Sequence, residues 1–263
     1  MAVAPVPALF SPAGEGFAAA PLTAGPWDER MMHGGPPAAL LAHAIERVQP
    51  GDDLVVTRLT VDFFGGVPLG EVSVQASLAK SGRRFQIVDA TLDAGGPRAC
   101  LARAVRLRRA DLPAAAAAPD VSPLPPPDAG ETLAPFVGSD RVGFYPDATE
   151  IRHVGGRLGS GHAAAWIRLR GELLPDVPAS QLVRATAAAD FANGLSWTLP
   201  IDEWLYINTE LTIHLHREPQ GTWIGLEART AIGPSGIGLS SGVLHDLGGP
   251  FGTCAQSLFV ERR

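Results

Sequence analysis

This chain of 263 residues has few cysteines, no long apolar run and no excess of positive charge. Its two cysteines, Cys100 and Cys254, are too few for a disulfide scaffold and are typical of a reducing cytoplasm, where we expect the protein. No apolar run reaches the roughly 18 residues of a membrane span. The first residues lack a basic start and are interrupted by prolines, so they make a poor signal peptide. A formal net charge of −6 provides nothing that would attract nucleic acid or an anionic membrane.

The composition that is present is typical of a globular protein. Hydrophobic residues make up 46% of the chain and charged residues 18%, which argues against disorder. The length allows one large domain or two small ones.

The sequence repeats itself. Residues 93–97 read Asp-Ala-Gly-Gly-Pro and residues 246–250 read Asp-Leu-Gly-Gly-Pro, an offset of 153 residues. Leu59-Thr60-Val61 matches Leu211-Thr212-Ile213 at an offset of 152, so a single gap reconciles the two matches. Several matches in the same order indicate a duplicated unit.

Each copy of the repeat predicts a set of strands. Residues 55–63 alternate with their apolar side chains on one side, and residues 207–215 do the same. In the second strand this alternation places Ile207 on the side of Leu211 and Asn208 on the opposite side. Further strands are predicted at 71–79, 85–92 and 98–107, and at 223–230, 238–245 and 252–261. The Asp-x-Gly-Gly-Pro segments supply the turns before the last strand of each half.

One helix is predicted ahead of each set of strands. Gly34-Gly35-Pro36-Pro37 opens the first, which runs to about Val48, and its prolines stand where a missing N–H costs least. The second begins near Pro178-Ala179-Ser180, with Ser180 as its cap, and runs to about Asn193. Both helices are apolar nearly all round, as expected of helices wrapped by a sheet.

These elements predict an α+β chain of two units, each a strand, a buried helix and then four antiparallel strands. We expect an N-terminal unit at residues 1–111, a Pro- and Ala-rich linker at 112–130 and a C-terminal unit at 131–263.

A helix wrapped by an antiparallel sheet and duplicated in tandem resembles the double hotdog fold, and more specifically the acyl-CoA thioesterase II family. The resemblance extends from Trp27 to Val260. It rests on His33-Gly34-Gly35, Ala189-Asp190-Phe191, Asn208 with Glu210-Leu211-Thr212, His216-Arg217 and Ala255-Gln256. It implies hydrolysis of an acyl-CoA by a water molecule, no metal or organic cofactor, and a homo-oligomer. By position it assigns the family's catalytic aspartate to Asp190 and its glutamine to Gln256. The family's hydroxyl residue is replaced by Asn208, whose amide can also hydrogen-bond a water.

The three predicted catalytic residues suit this chemistry, which needs an oriented water, a base for its proton and donors for the oxyanion. Asp190 shares a helical face with Val183 and Thr186, which turns its carboxylate into the protein. An exposed or capping carboxylate is the structural alternative. Gln256 interrupts an apolar strand face and needs a partner, either backbone or the water. Asn208 has a structural alternative too, because an amide early in a strand often satisfies turn backbone.

The start of the first helix supplies the candidates for binding the substrate carbonyl. Bare amides at Gly34 and Gly35, aided by the helix dipole, can polarise a carbonyl oxygen, although a tight entry turn also explains the glycines. His33 beside them is a candidate substrate-binding residue, but a histidine next to a loop is more often hydrogen-bonded or exposed. No spacing of His, Cys and carboxylate residues suggests a metal site.

Three rival functions have sequence criteria. A hotdog hydratase would carry Asp-x-Asn-Pro-x-His, whereas residues 190–195 have the wrong spacing and no histidine. An α/β-hydrolase would carry Gly-x-Ser-x-Gly, which Gly233-Pro234-Ser235-Gly236 does not match. A non-catalytic acyl-binding protein stays open because Asn208 departs from the family pattern.

The internal alignment also predicts that the two halves are unequal. Asn208 aligns with Val56 at the 152 offset, and Gln256 aligns with Arg103 at the 153 offset. Val56 can neither donate nor accept a side-chain hydrogen bond, and Arg103 is a cation that cannot accept a proton from water. The only carboxylate of the first helix is Glu46, late in its run. We therefore expect the C-terminal half to supply the water-activating residues.

Overall fold

The structure is a computed structural model, and it describes residues 6–49, 53–117, 119–133 and 142–263. Within these ranges the chain forms the helices α1 (Gly35–Arg47), α2 (Gln181–Ala189) and α3 (Ala192–Leu195). Its strands are β1 (Phe10–Ala13), β2 (Gly16–Ala19), β3 (Leu54–Phe63), β4 (Glu71–Lys80), β5 (Phe85–Asp93), β6 (Arg98–Arg108), β7 (Glu131–Thr132), β8 (Thr149–Arg157), β9 (His162–Leu169), β10 (Trp204–Asn208), β11 (Glu210–Leu215), β12 (Ile224–Ile232), β13 (Ile237–Asp246) and β14 (Gly249–Arg262).

All the described strands pair antiparallel and belong to one sheet, in the order β1-β2-β4-β5-β6-β3-β11-β14-β13-β12-β9-β8-β7, with β10 also on β14. The two halves meet where β3 pairs with β11. There Thr60 lies opposite Thr212, its partner in the sequence repeat, and their hydroxyls are 3.1 Å apart. A pseudo-twofold axis therefore passes through the centre of the sheet.

Each half wraps its sheet around a buried helix. In α1, Leu40, Leu41 and Ile45 are fully buried, and prolines occupy the first turn as predicted. The second helix starts as predicted, because the Ser180 hydroxyl accepts a hydrogen bond from the Val183 N–H at 3.1 Å. This arrangement confirms the α+β double hotdog fold.

The sheet shows that the strands that follow the helices in the two halves correspond at a constant offset of 152 residues. Thr60 pairs with Arg103, and Thr212 pairs with Ala255. Register shifts also recur, at Leu92/Asp93 in one half and at Leu244/His245 in the other. No gap is needed, and the Asp-x-Gly-Gly-Pro match at 153 is one residue out of structural register.

Two predictions about the elements are wrong. The sequence predicts one strand ahead of each helix, whereas the hairpins β1–β2 and β8–β9 precede α1 and α2. The predicted helix at about 180–193 is divided, since α2 ends at Ala189 and α3 begins at Ala192.

Candidate functional site

Asp190 stands at the break between α2 and α3, where it is the C-terminal cap of α2. Its side chain is only 2% exposed, so the exposed alternative does not hold. A carboxylate at the C-terminus of a helix faces an unfavourable dipole. Other contacts must therefore offset the free-energy cost of burying the carboxylate here.

Three side chains provide those contacts. The Asn208 amide donates to Asp190 Oδ1 at 2.9 Å, and the Gln256 amide donates to the same oxygen at 3.2 Å. His33 Nδ1 lies 2.9 Å from the other carboxylate oxygen, Oδ2. The structure thus brings together four of the six predicted site residues around one buried anion.

The remaining two, Gly34 and Gly35, bring the start of α1 against the end of α2. A Cβ atom on Gly34 would lie 2.8 Å and 3.0 Å from the two carboxylate oxygens of Asp190. A Cβ on Gly35 would lie 3.0 Å from both the Ala187 carbonyl and the Phe144 ring. Close approach therefore requires glycine, and it places the positive end of the α1 dipole beside the Asp190 carboxylate.

His33 has two possible partners for the same nitrogen. Its Nδ1 is 3.1 Å from the Gly35 N–H, which would donate to it, and 2.9 Å from the Asp190 carboxylate, to which it would itself donate. One nitrogen cannot do both. The charge-assisted bond to an ionised Asp190 is the stronger. In that state Nδ1 carries the proton, and the Gly35 N–H, which points at this nitrogen, has no acceptor there.

The His33 ring is held by aromatic neighbours. Its centroid lies 5.1 Å from that of Phe144 and 4.7 Å from that of Phe191. His33 is thus a packed, hydrogen-bonded residue of the site.

Gln256 is fully buried, and its partners are backbone, as the structural alternative predicted, and the Asp190 side chain. Its Oε1 accepts from the backbone N–H of Asn193 at 3.0 Å, while its Nε2 faces Asp190. Asn193 was not predicted as a site residue. The only feature of the sequence that pointed to Asn193 was its position at the end of the predicted helix.

Asn208 faces the site and not the outside, which corrects the predicted alternation. Asn208 pairs with Leu258 on β14, but Thr212 pairs with Ala255, so the register moves by one residue near Thr209. This shift reverses the faces: Ile207 is 41% exposed and Asn208 points to Asp190.

Two adjacent cavities share lining residues at this cluster. The outer pocket, about 400 Å³, is lined among others by Met31, Gly34, Val67, Asp190, Asn208 and Phe259. The inner chamber, about 110 Å³, is lined among others by Trp27, Ile151, Ile167, Leu195, Trp197 and Tyr206. Trp27, His33 and Asn193 line both cavities. Sequence reasoning did not identify the aromatic residues of the chamber, because they come from loops and strands far apart in the chain.

The two cysteines lie near the site but are inert. Both are buried, and burial raises the pKa of each thiol to about 12, with the negative charge of Asp190 adding to the shift. Neither thiolate forms at neutral pH.

Residues 6–49, 53–117, 119–133 and 142–263 contain no group of three or more His, Cys, Asp or Glu side chains that could hold a metal ion. None of the helices in the same ranges is long and apolar enough to cross a membrane.

The equivalent position in the first half is built from different residues. The 152 offset gives Val56 for Asn208, and Ala104 for Gln256. The prediction that Arg103 is the counterpart of Gln256 is wrong, since the Arg103 side chain lies on the outer face and binds Asp89 at 2.7 Å.

At the other ends of the helices, the Ser180 hydroxyl donates to the Glu46 carboxylate at 2.6 Å. Burial raises the pKa of Glu46, and the Ser180 hydrogen bond opposes that shift. A cavity of about 310 Å³ remains here, but Val56 and Ala104 cannot orient water.

The chain matches two family models. Residues 23–108 match the acyl-CoA thioesterase N-terminal domain, and residues 116–260 match the acyl-CoA thioesterase C-terminal domain. No curated protein matches the chain.

Solved structures share the fold at low sequence identity. A conserved protein of unknown function with a hot dog fold from Alicyclobacillus acidocaldarius has a TM-score of 0.71 at 17% identity, over 96% of this chain and 95% of that one. A TesB protein of Mycobacterium avium subspecies paratuberculosis has a TM-score of 0.70 at 13% identity, over 96% of each chain. The acyl-CoA thioesterase II TesB2 of Mycobacterium marinum has a TM-score of 0.67 at 16% identity, over 92% of this chain and 96% of that one.

Proposed function

The chain belongs to the acyl-CoA thioesterase family and is a thioester hydrolase, and on this premise we propose that Asp190, Asn208 and Gln256 hold the water that attacks the acyl-CoA. The observation that carries the proposal is the buried Asp190 carboxylate, bonded by both amides and open to the outer pocket. The second hydrogen of the Asn208 amide faces the Glu210 carbonyl only at 3.5 Å, so it can position the water in the outer pocket. The Gln256 amide nitrogen also lies 3.4 Å from the Asp190 backbone carbonyl, so it fixes the carboxylate that holds the water.

Asp190 is the base in this mechanism. It takes a proton as the water oxygen bonds to the thioester carbon, and the carbonyl π electrons move to oxygen. The Gly35 N–H, at the positive end of α1, stabilises the resulting oxyanion, and Gly34 leaves room for the approach. When the oxyanion collapses, the C–S bond breaks and the CoA thiolate takes up the proton from Asp190. His33 holds the Asp190 carboxylate in place and contacts substrate at the junction of the two cavities.

Release of CoA from a series of acyl-CoAs tests this proposal. We expect Asp190→Asn to keep the fold and to lower kcat by about 100-fold or more, the range for losing a general base. Asp89→Asn is the matched control, since Asp89 is a carboxylate on β5 that binds Arg103 and lines neither cavity.

Two results would contradict the proposal. A folded Asp190→Asn variant with turnover near that of the parent would remove Asp190 from the mechanism. Failure of the folded parent protein to release CoA from any acyl-CoA would show that the substrate is wrong.

A further inference from the structure

The inner chamber has a floor made by one cross-strand pair. Ile151 on β8 lies directly opposite Ile167 on β9, and the two are 4% and 2% exposed. Leu195, from α3 above, is 3% exposed. These side chains belong to the packed core, so they do not swing away at low cost.

Two tryptophans form opposite walls, and each is held by its own neighbours. The Trp27 ring packs edge-on against Tyr206 with centroids 5.5 Å apart, and the Arg263 guanidinium lies 5.4 Å from its centroid. Trp197 lies against Gly159, where a Cβ atom would come within 2.9 Å of the ring. Its carbonyl also accepts the Gly161 N–H at 3.1 Å. The walls are therefore anchored.

The space between floor and walls is small. An engineered apolar cavity of about 150 Å³ holds one benzene molecule, or roughly 25 Å³ per carbon atom. At that density a chamber of about 110 Å³ accepts about four carbon atoms. The chamber meets the outer pocket at His33 and Asn193, next to Asp190. A thioester carbonyl at this junction would direct its acyl chain into the chamber.

We propose that the enzyme selects short aliphatic acyl groups of about four to five carbons, the carbonyl carbon included, and that Ile151 and Ile167 set this limit. This inference rests on the proposed function, because it places the thioester beside Asp190. A methylene group that the chamber cannot accommodate costs a factor of roughly ten in kcat/KM. A rigid aromatic ring, which needs about 150 Å³, fits poorly as well.

The first test compares kcat/KM for straight-chain acyl-CoAs of two to sixteen carbons and for benzoyl-CoA. The expected maximum lies at butanoyl- to pentanoyl-CoA, with dodecanoyl-CoA and benzoyl-CoA lower by about tenfold or more. Equal or higher kcat/KM for dodecanoyl-CoA would overturn the inference.

The second test enlarges the floor. Ile151→Ala and Ile167→Ala should each raise the ratio of octanoyl-CoA to butanoyl-CoA hydrolysis by about tenfold. Ile224→Ala is the matched control, since Ile224 lies directly opposite Ile167 on β12, is 1% exposed and lines neither cavity. If either alanine variant fails to fold, the valine variants are measured, with a smaller shift in the same direction. An unchanged ratio in folded floor variants would overturn the role of the pair.

Binding separates this inference from the proposed function. Dissociation constants of the same acyl-CoAs for Asp190→Asn report chamber size without chemistry. A protein that hydrolyses no thioester but binds butanoyl-CoA most tightly refutes the proposed function and supports the chamber size. A protein that hydrolyses all chain lengths equally, with equal affinities, refutes the chamber size and supports the proposed function.

Discussion

Asp190 places a carboxylate at the C-terminal end of α2, where the helix dipole is unfavourable for a negative charge. Residues from three other parts of the chain hold it there. Asn208 and Gln256 donate to one oxygen, His33 Nδ1 is bonded to the other, and Gly34 lets the N-terminus of α1 approach. A buried carboxylate without such partners would cost several kcal/mol. The contacts that stabilise the anion are also those that orient it for catalysis.

A methyl group at residue 34 tests this geometry. The backbone of Gly34 has φ −64° and ψ −25°, which alanine adopts without strain, so any fall in the melting temperature of Gly34→Ala comes from the contact of its Cβ with Asp190. Its Cβ would displace the Asp190 carboxylate, and we expect turnover to fall by about 10- to 100-fold.

Gly96→Ala is the control, because a Cβ there meets no atom within 4 Å. Acyl-CoA hydrolysis and thermal unfolding are measured for both variants. Unchanged turnover in Gly34→Ala would show that the carboxylate position does not limit the reaction.

At the scale of single elements, β13 carries a buried histidine on the face of the sheet opposite to the helices. His245 is 0% exposed, and within the described residues neither ring nitrogen has a hydrogen-bond partner. A Cβ on Gly225 would touch His245, Trp166 and Leu124 at 2.9–3.0 Å, so these side chains pack together. The segment carrying Leu124, in the predicted linker, therefore covers this face of the sheet.

This burial makes stability depend on pH. Burial lowers the pKa of His245, the carboxylates of Glu227 and Asp246 oppose the shift, and Arg217 adds to it. Below the ordinary value of about 6.5 the unfolded chain takes up a proton that the folded chain refuses. The contribution of the neutral, buried His245 to the free energy of unfolding is therefore fully present above pH 6.5. It is lost as the pH drops, by up to ~1.4 kcal/mol per pH unit.

His245→Phe should flatten that fall. Melting temperatures of the parent and the variant, measured between pH 8 and pH 5, should converge or cross as the pH falls, since the phenylalanine has no proton to take up. Parallel curves would show that His245 does not titrate on unfolding. The other histidines are common to both proteins and cancel in the difference.

Across the whole molecule, a symmetric sheet carries an asymmetric site. The strands that follow the helices match at a constant offset of 152 residues, yet Val56 and Ala104 stand where the second half has Asn208 and Gln256. Both helix starts still meet a carboxylate from the other helix: Gly34 meets Asp190, and the Ser180 hydroxyl binds Glu46. The duplication kept the scaffold in both halves, while the two amides that hold the Asp190 carboxylate have no counterpart in the first half.

Paired substitutions measure this asymmetry. Asn208→Ala and Gln256→Ala should lower turnover by about tenfold or more, because each removes a donor to the Asp190 carboxylate. Val56→Ala and Gln86→Ala, the latter at a glutamine of the first half that is 9% exposed, should affect stability alone. Equal losses of turnover in both halves at matched melting temperature would contradict the asymmetry.

Local sequence patterns were sufficient to predict the duplicated α+β fold, the starts of both helices and most strands. Alternation and turn residues act over a few positions, so they appear directly in the sequence. The six site residues were also named in advance, although their roles as a catalytic set remain proposals. His33 was predicted as a substrate-binding residue, and its bond to Asp190 was not foreseen.

The tertiary structure decided what depends on register and on distant contacts. A one-residue shift near Thr209 turned Asn208 inward, against the alternation of its strand. A constant pairing register made Ala104, and not Arg103, the counterpart of Gln256. The inner chamber has walls from residues as distant in sequence as Trp27 and Trp197. Such features depend on how the strands slide and the helices pack, because one residue of register reverses every side chain of a strand while barely changing its local pattern.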